Sequence, residues 1–124
     1  EFSSILYRNH TRMFREREWE HANGPDFRYT DPENGVGAIR DNQSSQEFDT
    51  LLCEQGMLTQ YSTSGLENDL NTYAQNLFSP SPGFWEIVDR YPRVRRKVRL
   101  LVNFYNRINP VFTVNYFRKF DNEN

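Results

Sequence analysis

Apolar side chains recur at steps of three and four through most of this chain and never alternate with polar ones over a useful length, a pattern that predicts helices rather than a sheet. The longest stripe, Val94, Val98, Leu101, Tyr105 and Ile108, predicts a core-facing helix from Pro92 to about Ile108, stopped by Asn109-Pro110. Leu66, Leu70, Tyr73, Ala74 and Leu77 mark a second helix running to Phe78. Ser64 and Glu67 stand at the spacing of a capping box before it, in which a hydroxyl and a carboxylate satisfy orphan amides reciprocally. Ser81 and Pro82 open a short helix holding Phe84, Trp85, Ile87 and Val88. Thr113 caps a last one with Tyr116, Phe117 and Phe120. Shorter stripes predict helices over 1 to about 8 (Phe2, Ile5, Leu6), about 11 to 20 (Met13, Phe14, Trp19, capped by Thr11) and about 45 to 54 (Phe48, Leu51, Leu52, capped by Ser44 or Ser45 and closed by Gly56).

The helical pattern breaks between about 22 and 46, where Asn23-Gly24-Pro25-Asp26 and Asp31-Pro32-Glu33-Asn34-Gly35 supply turn chemistry. Within it, Gly35 to Ile39 is the one stretch compatible with a short strand. A connection of this length in a compact domain is a functional cover or a linker, and Phe27 and Tyr29 favour one that packs down. The expectation is a single, mainly α, irregular multi-helix domain over 1–124 with one long loop.

Composition changes this picture little. The 36% apolar fraction is low, but ten Phe, seven Tyr and two Trp bury large areas per residue, so a packed core is expected. Fifteen basic and seventeen acidic side chains leave a formal charge of −2, with no global field to gather nucleic acid or an anionic membrane. Cys53, the single cysteine, reads as buried apolar filler beside Leu51 and Leu52. No apolar run reaches the length of a membrane span. A first residue already inside a periodic segment reads as a trimmed or processed chain, or as a fragment whose uncovered aromatic pairs Phe84-Trp85, Phe104-Tyr105 and Tyr116-Phe117 would drive self-association.

Three segments carry candidate chemistry: Glu1-Phe2-Ser3-Ser4-Ile5-Leu6, Gly56-Met57-Leu58-Thr59-Gln60-Tyr61-Ser62, and Ser64-Gly65-Leu66-Glu67-Asn68-Asp69-Leu70. Together they resemble the zinc-binding metallopeptidases of bacterial lipoproteins, gluzincin relatives whose active-site helix bears His-Glu-x-x-His. The resemblance implies the C-terminal part of a zincin-like fold, a zinc cofactor, hydrolysis of a peptide or protein by metal-bound water, and a bacterial cell envelope setting. It implies Glu1 as the general base and Glu67, with Asp69 close behind, as acidic metal ligand. The pattern is degenerate here: the first histidine would precede residue 1, Ser4 stands in place of the second, and His10 and His21 are not spaced to replace either. The resemblance therefore points to an inactive or weakly metal-binding relative.

Each of these residues also has an ordinary reading. Glu1 can be a solvated terminal residue, Glu67 a helix-capping carboxylate, and Asp69 a cap or the partner of an arginine. A rival function rests on Arg90, Arg93, Arg95, Arg96, Lys97 and Arg99, six cations within ten residues of the long helix. With exposed aromatics, that face suits a non-enzymatic interaction module, with Arg93, Arg96 and Lys97 touching a protein or polyanion. Its ordinary reading is a solvated face neutralised by Glu16, Glu18 and Glu20, and no nucleic-acid-binding motif accompanies it.

Overall fold

The structure, a computed structural model, describes residues 14–30 and 47–121. Six α-helices and one 3-10 turn make up the regular structure of these residues: α1 (Glu16–His21), α2 (Thr50–Glu54), the turn Tyr61–Ser64, α3 (Leu66–Phe78), α4 (Phe84–Arg90), α5 (Pro92–Ile108) and α6 (Val114–Asp121). The mainly helical, multi-helix character expected from the periodicity is what is found. Among the described residues, β pairing is confined to one isolated antiparallel bridge, Phe48 with Thr59.

Helix α5 is the axis of the domain, touching α1, α2, α3 and α4, while α6 closes against α3. Its stripe is buried as the spacing requires: Val94, Val98, Leu101 and Tyr105 are inaccessible, and Ile108 emerges at the end with 36% exposure. Proline at the first position starts it, since the missing N–H would have been an orphan there. Leu70, Tyr73, Ala74 and Leu77 of α3 pack on this axis together with Phe84, Trp85 and Val88 of α4, Phe117 of α6 and Trp19 of α1. Edge-to-face rings knit the core, with Phe78 against Tyr105 at 5.8 Å and against Phe117 at 5.1 Å. The aromatics that a fragment would have left uncovered are thus interior: Phe84, Trp85, Phe104, Tyr105 and Phe117 are buried, and Tyr116 is half-buried.

Helix ends follow the predicted chemistry in part. Thr113 Oγ1 accepts from the Tyr116 amide at 3.1 Å and opens α6 as expected. Helix α2 starts at Thr50 rather than near 45, because Asp49 caps it, accepting from the Leu52 amide at 3.1 Å. Its stripe is also narrower than expected, as Leu51 is 75% exposed. The capping box before α3 does not form. Gly65 is the N-cap and no side chain caps the helix. Ser64 lies one residue too early, inside the 3-10 turn, where its hydroxyl donates to the Tyr61 carbonyl at 2.8 Å and accepts from Asn68 Nδ2 at 2.7 Å. Helix α1 begins at Glu16, and Gly83, in the left-handed region at φ 85°, precedes α4.

The described start of the long loop, residues 22–30, packs down as Phe27 and Tyr29 suggested. The Gly24 amide donates to the Gln55 carbonyl and that of Thr30 to the Thr63 carbonyl, each at 3.0 Å. Arg93 of α5 donates Nη1 to the Asn23 carbonyl at 3.0 Å. The expected helix over 1 to 8, the Thr11 cap, Ser44, Ser45 and the 35–39 strand lie outside the described residues.

Candidate binding site

The main polar feature of the interior is a buried ion pair. Asp69, in the first turn and a half of α3, and Lys97, one turn into α5, are both fully inaccessible, with Lys97 Nζ donating to Asp69 Oδ2 at 2.6 Å. The same oxygen accepts from Trp19 Nε1 at 2.9 Å and from the Tyr29 hydroxyl at 2.7 Å. One carboxylate oxygen thus joins α1, the loop after it, α3 and α5. The Lys97 ammonium also lies 5.0 Å from the Trp19 ring centroid and 5.7 Å from that of Tyr73, so aromatic faces replace part of its lost hydration. Tyr73 is held in turn by donating its hydroxyl to the Gly56 carbonyl at 2.8 Å.

Burial governs the protonation behaviour of this cluster. Desolvation pushes the Asp69 carboxyl above its ordinary range, opposed by the Lys97 charge and by the bonds from Lys97, Tyr29 and Trp19. Desolvation likewise lowers Lys97, opposed by Asp69. Tyr29 is raised by burial and by the adjacent Asp69 charge, so its phenol stays protonated and donating. Asp69 Oδ1 is buried without a partner, as is Asn23 Oδ1.

Tyr29 links this sealed pair to open space. It lines a cleft of about 580 Å³ together with Glu20, His21, Asn23, Gly24, Pro25, Phe27, Arg28 and Arg93. Asn23 Nδ2 donates to the Tyr29 hydroxyl at 3.4 Å, and the Phe27 and Tyr29 rings meet edge to face at 5.1 Å. Arg28 donates Nη1 to the Phe27 carbonyl at 2.7 Å, which folds it over the loop. Two guanidinium groups and an imidazole against one carboxylate, with two aromatic rings and a proline, make a concave surface suited to an anionic group carried on an apolar stem.

The residues singled out from the sequence are dispersed. Glu1 lies outside the described residues, as does His10. Glu67 is half-buried on α3, and Asp69, two residues on, faces a different direction into the core. Of the cationic trio, Arg96 is exposed, Arg93 reaches the cleft, and Lys97 is inaccessible. Lys97 is therefore corrected from a partner-contacting residue to an internal counter-ion, because no partner can reach it. Glu16 and Glu20 are exposed and Glu18 pairs with Arg15 at 3.2 Å.

A zinc ion does not fit the described part of this arrangement. Asp69 is sealed in the core with Oδ2 held by the Lys97 ammonium at 2.6 Å, and a metal on its other oxygen would sit beside that positive charge with no second carboxylate, imidazole or thiolate group placed around it among the described residues. No group of three His, Cys, Asp or Glu side chains among the described residues is placed to hold a metal. Trp19 and Tyr29 were not anticipated as members of the site. A signal did exist for the pair itself: Lys97 interrupts the Val94, Val98, Leu101 stripe and Asp69 adjoins Leu70 on the face of Tyr73, so both charges sit at core positions.

Comparison with protein families, with curated proteins and with solved structures finds no match to this chain. Among the described residues no helix is long and apolar enough to cross a membrane.

Proposed function

We propose that this chain is a metallopeptidase-related domain that acts as a binding module, taking an acidic peptide or protein segment in the cleft beside Tyr29. The observation that carries the binding reading is the cleft's composition: the Arg28 and Arg93 guanidiniums and the His21 imidazole line it with a single carboxylate, Glu20, and the rings of Phe27 and Tyr29. The kinship rests on the three segments that resemble the lipoprotein metallopeptidases, and it gives a reason for a peptide as the ligand. In this reading Asp69 works as a fixed internal anion. It orients Tyr29 by accepting its hydroxyl, and Tyr29 in turn shapes the wall that the ligand meets.

Binding would proceed by partial desolvation of the two guanidinium groups against carboxylates, with the ligand's apolar stems on the aromatic floor. Such contacts are salt-sensitive because the cleft is open to solvent. Isothermal titration of a short acidic, aromatic-containing peptide, and of the same peptide with its carboxylates amidated, tests this. The acidic form is expected to bind, to weaken as salt rises, and to lose about tenfold or more in affinity with Arg28→Ala. Equal binding of both forms, or none of either, would contradict it.

A further inference from the structure

A second, smaller cavity of about 220 Å³ lies on the other side of α5, where α4, α5 and α6 meet. Its walls are Val88, Val98 and Val114, and its polar lining is Trp85, Asp89, Arg95, Arg99 and Arg118. Arg95 and Arg99 stand about 200–240° around the helix from Arg93, so this site shares no side chain with the cleft.

Two features of the lining stand out. Trp85 is 3% exposed and its indole Nε1 is buried with no acceptor, although buried polar groups are nearly always bonded. Three arginines also line the cavity with one carboxylate, Asp89, among them. The Arg118 guanidinium lies 4.4 Å over the Trp85 ring and Nη2 donates to Asp89 Oδ1 at 2.6 Å, while Arg95 donates to the Asp89 backbone carbonyl at 2.8 Å. After Asp89 is counted, a formal charge of +2 remains around the cavity.

We infer that this cavity is a phosphate site, binding a tetrahedral oxyanion that is either free inorganic phosphate or the head of a small phosphomonoester. A carboxylate would neutralise only half of the residual charge, whereas a phosphate carries about −1.5 to −2 at neutral pH and offers three acceptor oxygens. Those oxygens match the arginine forks, and the Arg118 guanidinium stacked on the Trp85 ring couples that indole to an anion bound here.

The chain's two tryptophans make the test internally controlled, since the Trp19 indole N–H already donates to Asp69. Inorganic phosphate and O-phosphoserine are titrated separately into the full chain at constant ionic strength, following both indole N–H resonances by NMR. The Trp85 signal is expected to move saturably while that of Trp19 stays, and tighter binding of one ligand identifies the source. Arg99→Gln is expected to weaken binding about tenfold, and Trp85→Phe to weaken it while preserving the helical circular dichroism. A Trp85 signal that stays put, or one that moves equally with chloride and is indifferent to Arg99→Gln, would overturn the proposal.

Discussion

At the residue scale the decisive choice is a carboxylate and an ammonium placed where the helical pattern calls for apolar side chains. The pair is no simple gain in stability, because desolvating two charges offsets most of their attraction. What it does is make each member dependent on the other. Asp69→Asn keeps an acceptor for Trp19 and Tyr29 but strands the Lys97 charge, and should cost about 3–5 kcal/mol in chemical denaturation. Lys97→Met should cost a similar amount by stranding the carboxylate. The double variant should be markedly more stable than the sum of the two predicts, and strict additivity would show that the two charges do not meet in the core. Cys53 gives a second residue-scale expectation. Burial, with the Asp49 charge beside it, pushes its thiol from 9.0 up to about 11. The unfolded chain therefore gives up this proton first, and the thiol's contribution to stability should fall as pH rises from about 9 to 11. Replacing Cys53 with Ala should flatten that part of the denaturation profile, and an unchanged profile would contradict the assignment.

At the scale of elements, the sequence carried the long helices well because their stripes are long. Pro92 to Ile108 is found at its expected bounds, and the second helix ends at Phe78 as expected but begins at Leu66, one residue later than a Ser64 cap implied. Short elements were less legible. The capping signal at Ser64 and Glu67 was out of frame by one residue, since a 3-10 turn uses Ser64 before the helix begins. Leu51 matched a stripe but is 75% exposed, so the buried face of α2 is narrower than the spacing implied. Two glycines separate backbone from packing at element ends. Gly56, at φ 92°, would bring a Cβ within 3.1 Å of the Ala22 carbonyl oxygen, whereas Gly83, at φ 85°, has open space around that position. Gly83→Ala should cost about 1–2 kcal/mol for the left-handed backbone alone. Gly56→Ala should cost more, because strain and crowding combine where the loop meets α2. Equal losses in thermal or denaturant unfolding would mean that the loop yields freely at Ala22.

At the scale of the whole molecule, the Trp19 and Tyr29 contacts to Asp69 span fifty and forty residues of sequence, which is why periodicity could not reveal them. Local spacing reports which face a residue occupies on its own helix and nothing about which helix lies opposite. The charge cluster illustrates this: its six members sit within ten residues, yet the fold sends Lys97 inward, Arg93 to the cleft and Arg95 and Arg99 to the small cavity. The resulting molecule carries two separate cationic recesses on a nearly neutral chain, which favours local recognition of acidic groups over bulk attraction to polyanions.

Whether an acidic segment docks in the cleft beside Tyr29 can be read from amide shifts mapped during titration of the acidic peptide. Shifts are expected to concentrate in residues 20–29 and at Arg93 and to vanish when the peptide's carboxylates are amidated. Shifts centred instead on the exposed face of Arg96, or absent altogether, would contradict docking there.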